Sequence, residues 1–194
     1  MAKLYFIYGS MGSSKTAQAL IQRFSLIEHG QKVLFIKPAT DTRDGENYIK
    51  SRIAGLEAPI TMFSEKEDLL EKFNFEYLDI NFVIVDEANF CTPEQVEQLK
   101  YIADEFDIPV YAYGLRNNFM SVLFDGSKRL FELADEIKEI ELLCHCGRKT
   151  IVNSRYKGKK IIYNGDGIVI GGNDMYKALC YKCYREGNLG GNNK

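Results

Sequence analysis

KLYFIYGSMGSSKT, Lys3 to Thr16, is the stretch on which the fold turns. Lys3–Tyr8 is a short, nearly continuous β-prone run that stops at Gly9, as a buried strand does. Gly9–Thr16 then nearly spells G-x-x-x-x-G-K-[ST], a loop that holds phosphate, with Ser14 where the pattern asks for its second glycine. Such a loop turns backbone N–H groups toward an anion at the positive end of a helix, and Lys15 and Thr16 follow as the charge and the hydroxyl. A side chain at Ser14 weakens the match, because its Cβ crowds the approach that glycine leaves open; Gly12 restores some freedom. The plainer alternative is a strand-to-helix turn rich in small residues.

Working outward, Ala17, Leu20, Ile21 and Phe24 recur at helical spacing between Thr16 and Leu26, which predicts a helix with these residues on its buried face. Gly30 closes it, and Lys32–Lys37 (KVLFIK) reads as the next strand, so the first forty or so residues form a βαβ unit over a parallel sheet. Pro38–Ile60 is polar and turn-rich and reads as a mobile loop with an edge strand. A helix over Glu65–Phe73 precedes the apolar run Phe82–Val85, which ends in Asp86 and Glu87. Thr92 before Pro93 is an N-cap opening a helix to about Phe106, Pro109–Gly114 is another buried strand, and 121–134 is helical. Strands alternating with helices define an open α/β sheet.

The acids sharpen the phosphate reading. A carboxylate at the C-terminal end of a buried strand is the usual second half of a phosphate-loop site, where it holds Mg²⁺. Asp86 is the metal candidate, and Glu87 beside it is placed to take a proton from a nucleophilic hydroxyl or water. A pair of exposed acids is the alternative for either motif alone; both motifs in order, each ending an apolar strand, favour a nucleotide site.

From about Glu139 the text changes to short β pieces with turns, a second module reaching the mid-180s, before the tail GNLGGNNK, which reads as disordered. Cys144-His145-Cys146 and Cys180-Tyr181-Lys182-Cys183 bracket this module. Two short cysteine hooks suit tetrahedral Zn²⁺ in a structural site, since four sulfurs fill its coordination sphere. Unligated thiols, or His145 in place of one cysteine, are the alternatives. Cys91, alone, reads as a packed small residue. The expected division is 1–140, an α/β nucleotide-binding domain; 141–185, the zinc-binding module; and 186–194, the tail.

Composition sets the outer bounds. The 194 residues carry 25 Lys+Arg against 27 Asp+Glu, with 45% hydrophobic residues. That balance gives no electrostatic footprint for nucleic acid or a membrane surface, and no apolar run is long enough for a span. The absence of a signal segment and the use of cysteine for metal predict a cytoplasmic protein.

With these residues in place, the chain resembles the zinc-containing, P-loop thymidine kinases, most closely their bacterial branch. The likeness runs in order from Lys3 to Tyr184 through KLYFIYGSMGSSKT, DTR (Asp41–Arg43), SRIAG (Ser51–Gly55), IVDEANF (Ile84–Phe90), YGLRNNF (Tyr113–Phe119), CHCGRKT (Cys144–Thr150), VIGGNDMY (Val169–Tyr176) and CYKC. The resemblance implies a P-loop (RecA-like) parallel sheet flanked by helices, with a small zinc-containing lasso domain. It implies phosphorylation of the 5′-hydroxyl of thymidine or deoxyuridine by ATP and Mg²⁺, in nucleoside salvage. Carried over to this chain, Gly9, Ser10, Met11, Gly12, Ser13, Ser14, Lys15 and Thr16 would hold the ATP phosphates, with Asp41, Arg43, Asp86, Ala88 and Asn89 beside them. Thr16 and Asp86 would serve Mg²⁺, and Glu87 would be the catalytic base. Met11, Phe90, Phe119 and Tyr176 would surround the nucleoside, and Gly167, Ile168, Val169, Ile170 and Gly171 would form the lasso that closes on its base. The family also implies a homotetramer and feedback inhibition by thymidine triphosphate.

Ser14, and Asn89 where the family usually has glutamine, are departures; Asn153 stands where some relatives have threonine in the pocket for the thymine methyl, and Arg155 matches a basic position. A catalytically weakened relative, a helicase-type ATPase, and a zinc ribbon presenting Lys157, Lys159 and Lys160 to nucleic acid are the competing readings.

Overall fold

The computed structural model describes residues 1–39, 48–51, 55–165 and 175–191. β1 (Leu4–Gly9) feeds through the phosphate loop into α1 (Lys15–Glu28), and β2 (Val33–Pro38) returns to the sheet. An antiparallel pair, β3 (Tyr48–Lys50) and β4 (Glu57–Pro59), precedes β5 (Thr61–Phe63). Then come α2 (Leu69–Phe73), β6 (Phe82–Val85), α3 (Pro93–Glu105), β7 (Val110–Gly114), α4 (Asp125–Leu133) and β8 (Glu136–Ile140). The chain closes with β9 (Val152–Lys157), β10 (Lys160–Ile162), β11 (Tyr176–Leu179) and α5 (Tyr181–Arg185).

Among the described residues the main sheet has six strands, all parallel, in the order β5-β2-β6-β7-β1-β8. After β1 the chain crosses past two strand positions to β2, and later strands fill in on both sides of β1. β7 therefore stands between the strand that leads into the phosphate loop and the strand that ends in the two acids. The carboxyl ends of an open parallel sheet, where the winding reverses, are where such folds bind ligands.

Side chains alternate across this sheet, as strand geometry requires. Leu4, Phe6, Val83, Val85, Val110 and Ala112 face a core with Val96, Leu99 and Ile102 of α3 and Leu130 of α4. Ile7, Phe35, Ile84 and Tyr113 face the other core, with Ala19 and Leu20 of α1 and Ile49 and Ala58 of the β3–β4 pair. Both faces are thus covered, which is what an all-parallel sheet needs.

Several expectations shift. Ala17 and Leu20 are buried on α1, but Ile21 and Phe24 are exposed, so the buried stripe is narrower than the spacing predicts. The helix expected over 65–73 begins at Leu69, because the Asp68 carboxylate accepts the N–H groups of Leu70 and Glu71 and caps it there. That expected over 121–134 begins at Asp125: the Asn118 side chain takes the N–H groups of Met120 and Val122, and Ser121 has φ of 65°. The third helix runs to the predicted end, opened by Thr92, whose hydroxyl accepts from Gln95 while the Gln95 side chain accepts from Thr92. β8 is an unforeseen sixth strand on the outer edge beside β1.

The second sheet is antiparallel, β10-β9-β11. Its core is small: Val152, Ile161, Leu179 and Tyr184 around Cys144, Cys180 and Cys183, with Leu189 packed on its side. The CYKC hook, expected among short β pieces with turns, is instead the start of α5. Cys180 is the N-cap, its sulfur accepting the Cys183 N–H at 3.4 Å.

Candidate active site

Gly9 ends β1 where little space remains: a Cβ there would strike the Ser13 hydroxyl and lie 2.8 Å from the Ile140 carbonyl oxygen. Gly12 has φ of +80°. Ser14, the N-cap of α1, has φ 65° and ψ 24°, and its side chain makes no capping bond. The backbone has therefore kept the left-handed conformation that glycine adopts freely, at a cost of about 1 kcal/mol for an L side chain. Ser14 departs from the pattern in residue type and not in geometry. Lys15 lies back over its own loop, donating to the carbonyls of Ser10 at 2.8 Å and Gly9 at 3.3 Å.

The two halves of the predicted site meet at Thr16, whose hydroxyl donates to the Asp86 carboxylate at 2.9 Å across 70 positions of sequence. Asp86 is almost fully buried, and desolvation pushes its carboxyl above the ordinary range. The Thr16 hydroxyl, the Glu87 N–H and the charges of Lys15 and Lys37 pull the other way. A buried carboxylate beside a hydroxyl is a hard-oxygen donor pair of the kind Mg²⁺ takes, and a dication there would favour the ionised acid.

Lys37 was not anticipated. Ile36 pairs with Val85, so Lys37 comes next to Asp86 at the ends of neighbouring parallel strands, and only 4% of it is exposed. The signal was present as a lysine closing the apolar run VLFIK, level with the acid.

Glu87 has φ of 53°, a second left-handed non-glycine residue, and leads into a single 3₁₀ turn at Ala88–Phe90. Unusual backbone of this sort gathers at functional sites because it re-aims side chains. Asn89 is buried; its Oδ1 accepts the Leu115 N–H at 2.8 Å, and its Nδ2 has no hydrogen-bond partner among the described residues. The shorter amide thus ties the acid turn to the end of β7, alongside Gly114, where a Cβ would be 2.9 Å from the Asn89 nitrogen.

Of the aromatic positions, Phe119 and Tyr176 come together at Arg155. The guanidinium lies 5.6 Å from the Phe119 ring centroid, and Tyr176 pairs with Arg155 across β9 and β11. Burial raises the Tyr176 phenol pKa, with Arg155 opposing. Phe90 stands at the acid turn, edge-on to Phe124 at 5.4 Å. Met11 reaches toward the second sheet through its N–H, which donates to Asn153 Oδ1 at 2.7 Å. Asp41, Arg43 and Gly167–Gly171 lie outside the described residues.

The four hook sulfurs lie within 4.8 Å of one another, and Cys146 and Cys180 are 3.6 Å apart. Ligands on a tetrahedral Zn²⁺ at about 2.3 Å would be about 3.8 Å apart, so the set fits that ion. The Cys146 thiol is pushed down to about 6, chiefly by the Arg148 backbone N–H, while Cys183 is pushed up to about 12 by burial and by its sulfur neighbours. Four such groups become thiolates together only around a cation. Cys91 is buried, and desolvation alone raises its thiol to about 12, as befits a packed residue.

A loop of backbone donors with its lysine, facing a hydroxyl–carboxylate pair across one intervening parallel strand, defines a phosphate-loop nucleotide-binding protein. The sequence model described as "TK: Thymidine kinase" matches residues 2–184. A thymidine kinase of Shewanella oneidensis is 39% identical over 189 residues, 96% of this chain and 98% of that protein. Thymidine kinases of Legionella pneumophila strain Paris and of Enterobacteria phage T4 are each 40% identical, covering 98% and 96% of this chain and 92% and 97% of theirs. The chain belongs to the thymidine kinase family, and it phosphorylates thymidine in nucleoside salvage. Among solved structures, the Pif1 helicase of Candida albicans aligns with a TM-score of 0.43 and 17% identity over 72% of this chain and 36% of that one, too distant to bear on function.

Proposed function

We propose that the γ-phosphoryl group of ATP passes to the thymidine 5′-hydroxyl at the crevice between the phosphate loop and the Glu87 turn. The observation that carries this reading is the Thr16–Asp86 hydrogen bond, which joins the donor loop to the acid strand. The backbone from Gly9 to Thr16 cradles the phosphates, and Lys15 leaves its own loop carbonyls to meet them. Glu87 accepts the proton as the nucleophilic oxygen forms its bond to phosphorus and ADP leaves. Thr16 and Asp86 would hold Mg²⁺, which would supply neutralisation of phosphate charge. Met11, Phe90, Phe119 and Tyr176 enclose the nucleoside, deoxyuridine being accepted alongside thymidine, and Gly167–Gly171 bond its base edge through main-chain groups. Asp41, Arg43, Ala88 and Asn89 complete the phosphate side.

Zn²⁺ on Cys144, Cys146, Cys180 and Cys183 would fasten the two ends of a lasso domain, residues 141–185, which follows a nucleotide domain of residues 1–140. A homotetramer is supported by an apolar stripe on α1, where Ile21, Phe24 and Ile27 are 52%, 64% and 42% exposed. Thymidine triphosphate inhibits by spanning both halves of the site. The protein acts in the cytoplasm; no described helix is long and apolar enough to cross a membrane.

The test is purified protein with ATP, Mg²⁺ and a panel of nucleosides, measuring monophosphate. Thymidine and deoxyuridine monophosphates are expected, and Glu87→Gln should lower kcat by about 10²-fold or more. No product, with ATP hydrolysis stimulated by DNA instead, would overturn the assignment; wild-type turnover by Glu87→Gln would remove Glu87 as the base.

A further inference from the structure

Asn153, on β9, is 3% exposed, and both ends of its amide are engaged by main chain from elsewhere. Its Oδ1 accepts the Met11 N–H at 2.7 Å and its Nδ2 donates to the Asn117 carbonyl at 2.9 Å. One side chain of the small sheet thus grips two loops of the large sheet: the phosphate loop after β1 and the segment after β7 that carries Phe119. Those strands are neighbours, paired up to Tyr8 and Gly114, and beyond that pair their loops diverge. A second stitch lies nearby, where the Thr150 hydroxyl donates to the Leu142 carbonyl at 2.9 Å and lies 2.7 Å from the Ser10 hydroxyl. The Thr150 stitch reaches only the phosphate loop, whereas Asn153 spans both.

We propose that Asn153 is a positioning residue, a strut that fixes the distance between the phosphate-donor loop and the nucleoside-side segment 115–122. This rests on the thymidine kinase reading for its kinetic consequence. Phosphoryl transfer needs attacking and leaving oxygens roughly in line, and misplacement by about 1 Å costs on the order of 10²-fold in rate. An amide suits the task because it presents an acceptor and a donor from one short, planar group. A threonine hydroxyl at this position has no reach to both loops. Asn153 touches neither reacting atom, so its removal should separate catalysis from binding.

The experiment compares the full-length protein with Asn153→Ala and Asn153→Ser, measuring kcat, the affinity for thymidine and for ATP singly, and amide exchange at Met11. Expected are a fall in kcat of about ten- to hundredfold in both variants, single-substrate affinities within about threefold of the parent, and faster exchange at Met11. Should the alanine variant fail to fold, the serine variant, which keeps a polar group but cannot span, decides the matter. A kcat within about twofold of the parent overturns the strut, as does a large loss of thymidine affinity with kcat intact, which would make Asn153 a nucleoside contact. If the parent makes no thymidine monophosphate, the kinase reading has failed instead; unchanged Met11 exchange in the variants then refutes the strut, and faster exchange upholds it.

Discussion

Ser14 holds a left-handed backbone at the head of α1, so two effects of its side chain separate cleanly. The first is conformational and modest. Changing it to glycine relieves about 1 kcal/mol of strain but adds freedom to the unfolded chain, so Ser14→Gly should shift stability by less than about 1 kcal/mol in urea unfolding. The second is steric and falls on the ligand. Without the Cβ the loop closes better on phosphate, and the KM for ATP should drop about two- to fivefold while the KM for thymidine holds. An unchanged ATP KM would mean that the serine side chain already stands clear of the phosphates. Thr16, Asp86 and Glu87 were legible because motif spacing and strand ends announce them. Lys37 was not, and Asn153 was marked by resemblance alone, since nothing local in VLFIK or IVNSR says which distant backbone or acid each will meet.

At the scale of elements, legibility followed hydrophobic pattern and capping chemistry. KLYFIY, FVIV and PVYAYG are apolar on both faces and were plain; EIKEI carries charges at Glu136, Lys138 and Glu139 and sits at an edge, with Lys138 in water, so β8 did not read as a strand. This strand is nonetheless tied in by the residue just before it. Asp135 accepts the Leu4 N–H at 2.8 Å and pairs with Lys100 of α3 at 2.8 Å, joining three elements. Burial alone would raise its pKa, but the Lys100 and Leu4 bonds outweigh burial and hold it below 3.8. A depressed carboxylate stabilises the fold above its unfolded pKa and ceases to do so as pH falls through the folded value. Asp135→Asn should therefore cost about 1 kcal/mol near pH 7, with the difference from the parent vanishing in acid, as read from urea midpoints at several pH values. A difference that persists at low pH would assign the loss to packing.

At the scale of the whole molecule, the described residues form one large core pair and one small core, and three of the small core's seven buried residues are cysteines. Val152, Ile161, Leu179 and Tyr184 alone bury too little to hold three short strands, so an ion held by the four cysteines would supply much of that stability. Chelation, or Cys180→Ser, should melt the second sheet while leaving most helical circular dichroism intact, and metal analysis of the parent should give about one zinc per chain. Because Thr150 stitches that module to the phosphate loop through Ser10, ATP binding should weaken too. Full ATP affinity in metal-free protein would show the Thr150 stitch to be idle.

The strand order also dictates a timetable. β1 pairs with β7 and β8, beginning at Leu4↔Val110 and Tyr5↔Glu136, so once made it waits about a hundred residues of synthesis for its first partner. At about 5–20 residues per second on the ribosome, KLYFIY waits for seconds as an unpaired, aggregation-prone ribbon. The segment that begins the nucleotide site thus emerges about a hundred residues before it can be enclosed, which makes truncation before Ile140 ruinous to a loop more than a hundred residues away.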